Sequence, residues 1–427
     1  EQAGLYELVE QHVTVPGTAG SNAAVKVSAL IAGMVVGADS ISDMDVLRHG
    51  GMGRVFDGLR AATTLGTHLR AYRFGHVRQL DAVASRLLIK LAGLSPILDG
   101  ADQLTFVDVD DTIRETHGYR KQGAAYGYSR VKGLNAILAT MSTPTSAPVI
   151  AATRLRKGNV SSARGAARLI GDTLATLRRA TTPSLVIVRA DSAYFNHATI
   201  AAIAVGGARF SITARMNTAV TRAITTINDT DWTTIRYPQA IYDEAQQVWI
   251  SDAEVAEVPF TAFTSRRKAD HVTARLVVRR VRRLNPNAKA QGELLPGYRY
   301  HAVFTNSTFA LVDAEACHRD HAIIEGVFAD LKDGPLAHAP SGKFMANSAW
   351  LALAAMAFNL TRAAARIASK TLGRARTSTV RRTLIQVAAR IANQARSWLL
   401  HLPRDWPWEP QLATLYNAAF GPPAAAT

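Results

Sequence analysis

The sequence predicts an α/β protein: a mixed-sheet core, with a helical region before it, a β-rich insertion within it and a helical region after it. Three observations predict this. Residues 1–98 carry helical patterns and no strand-like run. From residue 104 the order changes to three strands, helix, strand, helix, strand. After residue 217 that rhythm gives way to runs rich in Trp, Tyr and β-branched residues, which favour strands.

The 427 residues exceed one compact core, so two or three domains are expected. Apolar residues make up 48% of the chain and charged residues 19%, a balance that excludes a disordered protein. The net charge of +16 points to a polyanionic partner, nucleic acid before an anionic membrane surface. Cys317 is the single cysteine, which excludes an internal disulfide and a cysteine-based zinc site and fits a reducing cytoplasm. No signal peptide is read. The apolar stretch at 347–360 (NSAWLALAAMAFNL) is shorter than the ~20 residues that span a bilayer, so it is expected to be a buried core helix.

The N-terminal domain, 1–98, begins with a helix at 23–38. Ser40, Ser42 and Asp43 offer N-caps to MDVLRHG, which Gly50-Gly51 stops. Residues 54–59, 63–70 and 76–91 complete the set. Short helices with scattered Arg suit a helix-turn-helix reader of DNA, and equally any small helical domain. The core is expected at 99–216 and 301–345. LTFVDVDDT (104–112), 131–141 and 147–155 form a meander, and Ser161 and Ser162 cap a helix to about Arg179. The run 185–188 is a buried strand ending in Arg189-Ala190-Asp191, with a helix at 197–205 and a strand at 209–215. This is the order of a ribonuclease-H-like mixed sheet. The insertion, 217–300, holds Trp232, Tyr237, Tyr242, Trp249 and a turn at 292–297. Its tract 265–283 carries eight Lys or Arg and one acid, more than solubility requires, which favours phosphate contact over a solvated face. After a strand at 298–305, one helix is expected over 313–332, ended by Gly334-Pro335. The region 346–427 is read as helical. Residues 334–404 contain no acid, against eleven Lys or Arg from Lys343 to Arg404, again pointing to phosphates. Trp398, Trp406 and Trp408 are read as packing residues, and the tail GPPAAAT as frayed.

Three acidic positions stand out: the Asp108/Asp110 pair, Asp191 and Glu325. Asp191 caps the following turn or offers its carboxylate to chemistry at the end of a buried strand. Carboxylates without clustered Cys or His are hard oxygen ligands suited to Mg²⁺ or Mn²⁺. A pair of such ions supports phosphodiester displacement, and acids are needed to hold them against a polyanion.

These residues resemble a DDE transposase of bacterial insertion sequences, in the cut-and-paste group, and within it the insertion sequence 1380 family. The resemblance is carried by VDVDDT with HG at 117–118, LRKGN at 155–159, RADSAYF at 189–195, HRDHAIIEGVFADLKDG followed by FMANSAWLALAAMAFNLTR, and GADSISDMDVLRHGG near the start. It covers nearly the whole chain. It implies Asp110 as the first catalytic Asp, ahead of Asp108 on the same strand face, with Asp191 and Glu325 completing a triad for two Mg²⁺ or Mn²⁺ ions. It also implies a phosphate-holding role for Lys332. The related signature has Tyr and Arg where this chain has His318 and His321, so that work would fall to these rings and to Arg319, unless the histidines only face solvent. DNA contact is further expected at Arg266, Arg267, Lys268, Arg279, Arg280, Arg282 and Arg283. By the same resemblance, Trp232 or Trp249 would stack on a flipped base if ends open through hairpins; core packing is the other reading of both.

The function expected is that of a cytoplasmic, nucleoid-associated transposase acting as a homodimer on double-stranded DNA, at transposon ends and at the target. The rivals are a catalytically inactive DNA-binding relative and a metal-dependent nuclease of the same fold. A membrane-surface role is disfavoured because the basic tracts lie on no clear amphipathic helix.

Overall fold

The computed structural model describes residues 1–117, 120–236, 242–243, 248–249, 253–282, 298–394 and 397–421. The chain forms two compact units: Glu1–Val160 with Asp172–Ser184 and Ile323–Thr427, and Ser161–Gly171 with Leu185–Ala322.

The first unit opens with α1 (Leu5–His12), α2 (Ala23–Val35), a 3₁₀ turn at Ser42–Arg48, α3 (Met52–Val55), α4 (Ala62–Arg70) and α5 (Phe74–Leu94). The Asp43 carboxylate takes the Ser40 hydroxyl and amide, fixing the entry to the 3₁₀ turn. The strands β1 (Leu104–Glu115), β2 (Ala125–Tyr126), β3 (Lys132–Ser142) and β4 (Val149–Lys157) follow. β3 is central, antiparallel to β1 on one side and to β4 and β2 on the other, so the expected meander is present. All but the first residue of β3 are buried, in keeping with its apolar run LNAILATM. The helix α6 (Ala166–Ala180) comes next, its residues up to Gly171 belonging to the second unit and those from Asp172 to the first.

The second unit contains β5 (Leu185–Ala190), a 3₁₀ turn at Ser192–Tyr194, α7 (His197–Val205), β6 (Arg209–Thr213), α8 (Thr218–Ile224) and β7 (Thr233–Ile235). It continues with the short pair β8 (Tyr242–Asp243) and β9 (Val248–Trp249), then β10 (Ala253–Ala262), β11 (Val272–Arg282), β12 (Tyr298–Thr305) and α9 (Leu311–Arg319). Here β5 and β6 are parallel across the α7 crossover, and antiparallel strands extend the sheet in the order β5-β6-β12-β11-β10-β7. The insertion strands β7, β10 and β11 therefore continue the sheet that holds β6. β12 makes the join, pairing with β6 on one edge and β11 on the other. Tyr237, the turn at 292–297, the 422–427 tail and the side chains of Tyr242 and Trp249 lie outside the described residues.

The first unit resumes with α10 (Ile323–Lys332), α11 (Phe344–Ala368), α12 (Thr377–Val380), the hairpin β13 (Arg390–Gln394) and β14 (Ser397–His401), and α13 (Glu409–Phe420). The single helix expected at 313–332 is broken by a 3₁₀ turn at Asp320–Ala322. The region after 346 is not wholly helical either: β13 and β14 pair where helix was expected. Trp398 is about half exposed there, and so is not a core residue.

α11 organises this unit. It packs against α2, α4, α5 and β4, so the N-terminal helices share one core with the strands. Its stretch 346–359 is buried on every face, as an Ala-, Leu- and Met-rich helix permits. The Trp350 indole donates to Pro335 O at 2.5 Å. The Asn359 amide accepts from Ile150 N at 2.8 Å and donates to Ile150 O at 2.7 Å, supplying β4 with the pairing that a further strand would give. α11 is long and apolar enough to cross a membrane, but its most apolar window is 83% buried within the protein, as expected of a core helix.

Candidate active site

β1 displays its acids on alternating sides. Period two puts Asp108, Asp110, Thr112 and Arg114 on one face and Asp111 on the other. Asp111 is tied into the sheet: its carboxylate accepts from Asn135 Nδ2 at 2.6 Å and pairs with Arg156, whose Nε donates to Asn135 Oδ1 at 2.8 Å. Asn135 and Arg156 are register partners on β3 and β4, so this triangle crosses three strands. Asp108 is 1% exposed. Asp110 is half-buried and accepts from the Asp111 amide at 2.7 Å. Of the three acids, Asp110 is the one that is both reachable and outside that triangle.

α10 presents Glu325 in its first turn and Lys332 in its last, both exposed. Seven residues apart, they share one helix face about 10 Å apart along the axis. Burial pushes the Lys332 ammonium down from the usual lysine range; Arg114 beside it adds to this and Asp110 opposes it. The end of α10 thus brings Lys332 into electrostatic reach of both Asp110 and Arg114. Lys121, also lowered by burial and by Arg114, donates to Ala339 O. Sequence reasoning passed over Arg114 and Lys121. Arg114 was legible from strand period, four residues beyond Asp110, whereas Lys121 reaches this neighbourhood through a loop.

Asp191, in the second unit, follows β5 directly. Its Oδ1 accepts from Ala193 N at 2.9 Å, so it does cap the Ser192–Tyr194 turn, and it remains half-buried rather than enclosed. Arg189 below it is 2% exposed and donates to Cys317 O at 2.7 Å.

Several expected DNA contacts in this unit are structural. His318 is 6% exposed, with Nδ1 3.0 Å from the Ser211 hydroxyl and Nε2 2.8 Å from the Thr213 hydroxyl. Burial pushes its pKa down to about 3, with His321 and Arg189 adding to the effect. A neutral ring with both nitrogens engaged on β6 cannot grip a phosphate, which corrects the expectation for His318. His321 stacks on it at 4.8 Å and bonds His318 O through Nδ1 at 2.6 Å. Arg279 pairs with the buried Glu315 at 2.8 Å, and Arg319 lies 3.4 Å from the same carboxylate. Arg280 bonds Glu254 at 2.7 Å and lies over the rings of Trp232 at 4.2 Å and Tyr298 at 4.6 Å. Arg279 and Arg280 are thus each held in an ion pair, and Trp232 is covered by a guanidinium. Arg266, Arg267 and Lys268 remain exposed in the β10–β11 loop, with Arg266 3.8 Å from Asp270. Arg282 ends β11 with its side chain undescribed, and Arg283 lies outside the described residues.

Among the described residues, no three His, Cys, Asp or Glu side chains form a ready metal-binding group. The donors at the sequence-selected positions are carboxylate oxygens, which suit hard divalent cations.

A family model described as transposase DDE domain group 1 matches residues 24–419. No curated protein matches the chain.

Proposed function

The chain belongs to the transposase DDE domain group 1 family, and from that premise we propose that Asp110, Asp191 and Glu325 are its catalytic acids in the cutting and joining of DNA. The family supports metal-dependent transposase chemistry in general. The finer reading is a cut-and-paste enzyme of the insertion sequence 1380 type, working with Mg²⁺ or Mn²⁺. It binds terminal inverted repeats through the N-terminal helices and the 266–268 loop, and acts in the cytoplasm as a dimer on paired ends.

The observation that carries this reading is Asp110 itself: a reachable carboxylate on a buried strand, with Lys332 and Arg114 in electrostatic reach. The three acids would hold the two divalent ions, with Asp108 as an auxiliary ligand. When bound, such ions neutralise charge at the reacting phosphate and lower the pKa of the attacking hydroxyl. Lys332 and Arg114 hold the non-bridging phosphate oxygens and orient the scissile bond. The helix dipole of α10 favours an acid at its N-terminal end, where Glu325 stands, and a cation at its C-terminal end, where Lys332 stands.

The test is cleavage and joining of a labelled duplex bearing the DNA that flanks this gene, with wild type and Glu325→Gln compared in Mg²⁺. Wild type should cut at the repeat boundary and join the ends to a second duplex, while the variant binds and does neither. Cutting without joining would favour a nuclease. Binding by both without cutting, in Mg²⁺ or Mn²⁺, would favour an inactive DNA-binding relative.

A further inference from the structure

On the side of α10 opposite Glu325 and Lys332 lies a groove of about 320 Å³. Ile323, Gly326, Val327 and Asp330 line it from α10, a stripe at i, i+3, i+4 and i+7; Glu325 and Lys332 sit roughly 180° away at about 100° per residue. The facing walls are the β3–β4 turn and the segment after α11, which contributes Arg374 and Arg376, with Arg362 from α11 itself. A smaller hollow shares Arg362, Arg374 and Ser146 with it and adds Arg366 and Lys370. Five cations thus border one continuous depression.

Their local partners neutralise them only in part: Asp330 acts on Arg362, and Arg366 pairs at long range with Asp99. Arg362 is 7% exposed; its Nη1 holds Gly373 O at 3.0 Å and Ala375 O at 2.6 Å, and its buried Nε has no hydrogen-bond partner. Arg374 donates to Thr145 O at 3.0 Å, a neutral acceptor. Arg366 reaches Asp99 only at 3.9 Å. The one acid lining the groove, Asp330, is occupied by Thr377, accepting from its amide at 2.9 Å and its hydroxyl at 2.6 Å. Residues 334–404 supply no other acid. Like charges gathered along an open depression repel one another unless an anion lies among them.

We infer that this groove is a second DNA-binding site, holding the phosphate backbone of a duplex along Lys370, Arg374 and Arg376, with Arg362 beneath them adding to the positive potential, on the side of α10 away from Glu325. A continuous backbone fits better than a single anion because the cations are spread along two joined hollows. The exposed Ile323 side chain and open Gly326 give room for sugars between phosphates. The inference rests on the reading of this chain as an enzyme acting on DNA, but its test reads binding and not cleavage.

The full chain carrying Lys370→Gln, Arg374→Gln and Arg376→Gln is compared with wild type by fluorescence anisotropy on a labelled duplex across a salt series. Each lost phosphate contact lowers the salt slope by ~0.9, so the triple variant should lose about 2 to 3 in slope and bind at least tenfold more weakly at fixed salt. Gly326→Phe fills the groove with no charge removed; no atom lies within 4 Å of where its Cβ would stand, and an unchanged urea-unfolding midpoint confirms that the variant is folded. It should weaken binding as well. An unchanged slope in the triple variant overturns the site. So does full affinity in Gly326→Phe, which would reduce the effect to diffuse charge, and so does failure of wild type to bind the duplex. Titration with inorganic phosphate alone completes the set: tight binding lost in the triple variant would assign the groove to a free anion and overturn the DNA reading. If wild type binds with the expected slope yet cuts nothing, the groove stands and the transposase reading falls.

Discussion

His318→Gln tests the placement of that ring in the core of the second unit. In an unfolded chain the imidazole titrates at ~6.5; in the fold, burial between Ser211 and Thr213 pushes it down to about 3. Between those values the unfolded state holds a proton that the folded state refuses. Stability is therefore whole above pH 6.5 and falls as pH drops toward 3, at ~1.4 kcal/mol per pH unit. From pH 6.5 to 5 the loss from His318 alone is about 2 kcal/mol. Other groups titrate in the same window. His301, pushed down to about 4 by burial and by Arg279, adds to the loss. Asp81, pushed up to about 7 by burial, takes up its proton in the folded state first and so acts in the opposite direction. The difference between wild type and His318→Gln at each pH isolates the one ring. Urea unfolding at pH 7, 6 and 5 gives that difference, and the His318 NMR resonance, assigned by its absence in the variant, gives the midpoint directly. A midpoint near 6, or stability curves that run parallel in the two proteins, would refute the buried neutral ring and return His318 to the set of phosphate contacts.

Three further outcomes follow from the same geometry. Arg156→Met strands the Asp111 carboxylate inside the sheet and should cost about 3 kcal/mol, while adding Asp111→Asn should recover part of it; additive losses in urea unfolding would show that the triangle with Asn135 is not a coupled unit. Arg280→Ala removes a cation from between Trp232 and Tyr298 and breaks its bond to Glu254 of β10, so stability should fall by about 1 to 2 kcal/mol with a change in tryptophan emission; a loss of DNA affinity without loss of stability would make Arg280 a DNA contact instead. Replacing Arg266, Arg267 and Lys268 together by Ala should leave the unfolding midpoint unchanged and reduce the salt slope of duplex binding by about 2 to 3; an unchanged slope would remove the β10–β11 loop from the DNA interface.

The sequence by itself determined the local elements and the chemical types. The apolar run of β3, the turn-bounded β5 and the Ala-rich α11 are legible because burial imposes a composition on strands and helices whatever lies around them. The acids on β1, after β5 and on α10 were legible for the same reason, since a carboxylate among apolar strand residues interrupts an otherwise clear pattern. Tertiary structure alone decided which charges are available. Arg279, Arg280 and Arg267 look alike in a basic tract, yet the packing of α9 hands the first to Glu315, strand register hands the second to Glu254, and the third is left in a loop. Asp108 and Asp110 share a face, and only packing depth separates the 1% exposed side chain from the reachable one. Register also joined the insertion strands to β6 through β12, because a strand edge is completed by whichever backbone lies beside it, and that pairing is set by contacts distant in sequence. Composition records what a residue can do. Its partners, and so its free charge, are set by residues that the fold brings from far along the chain.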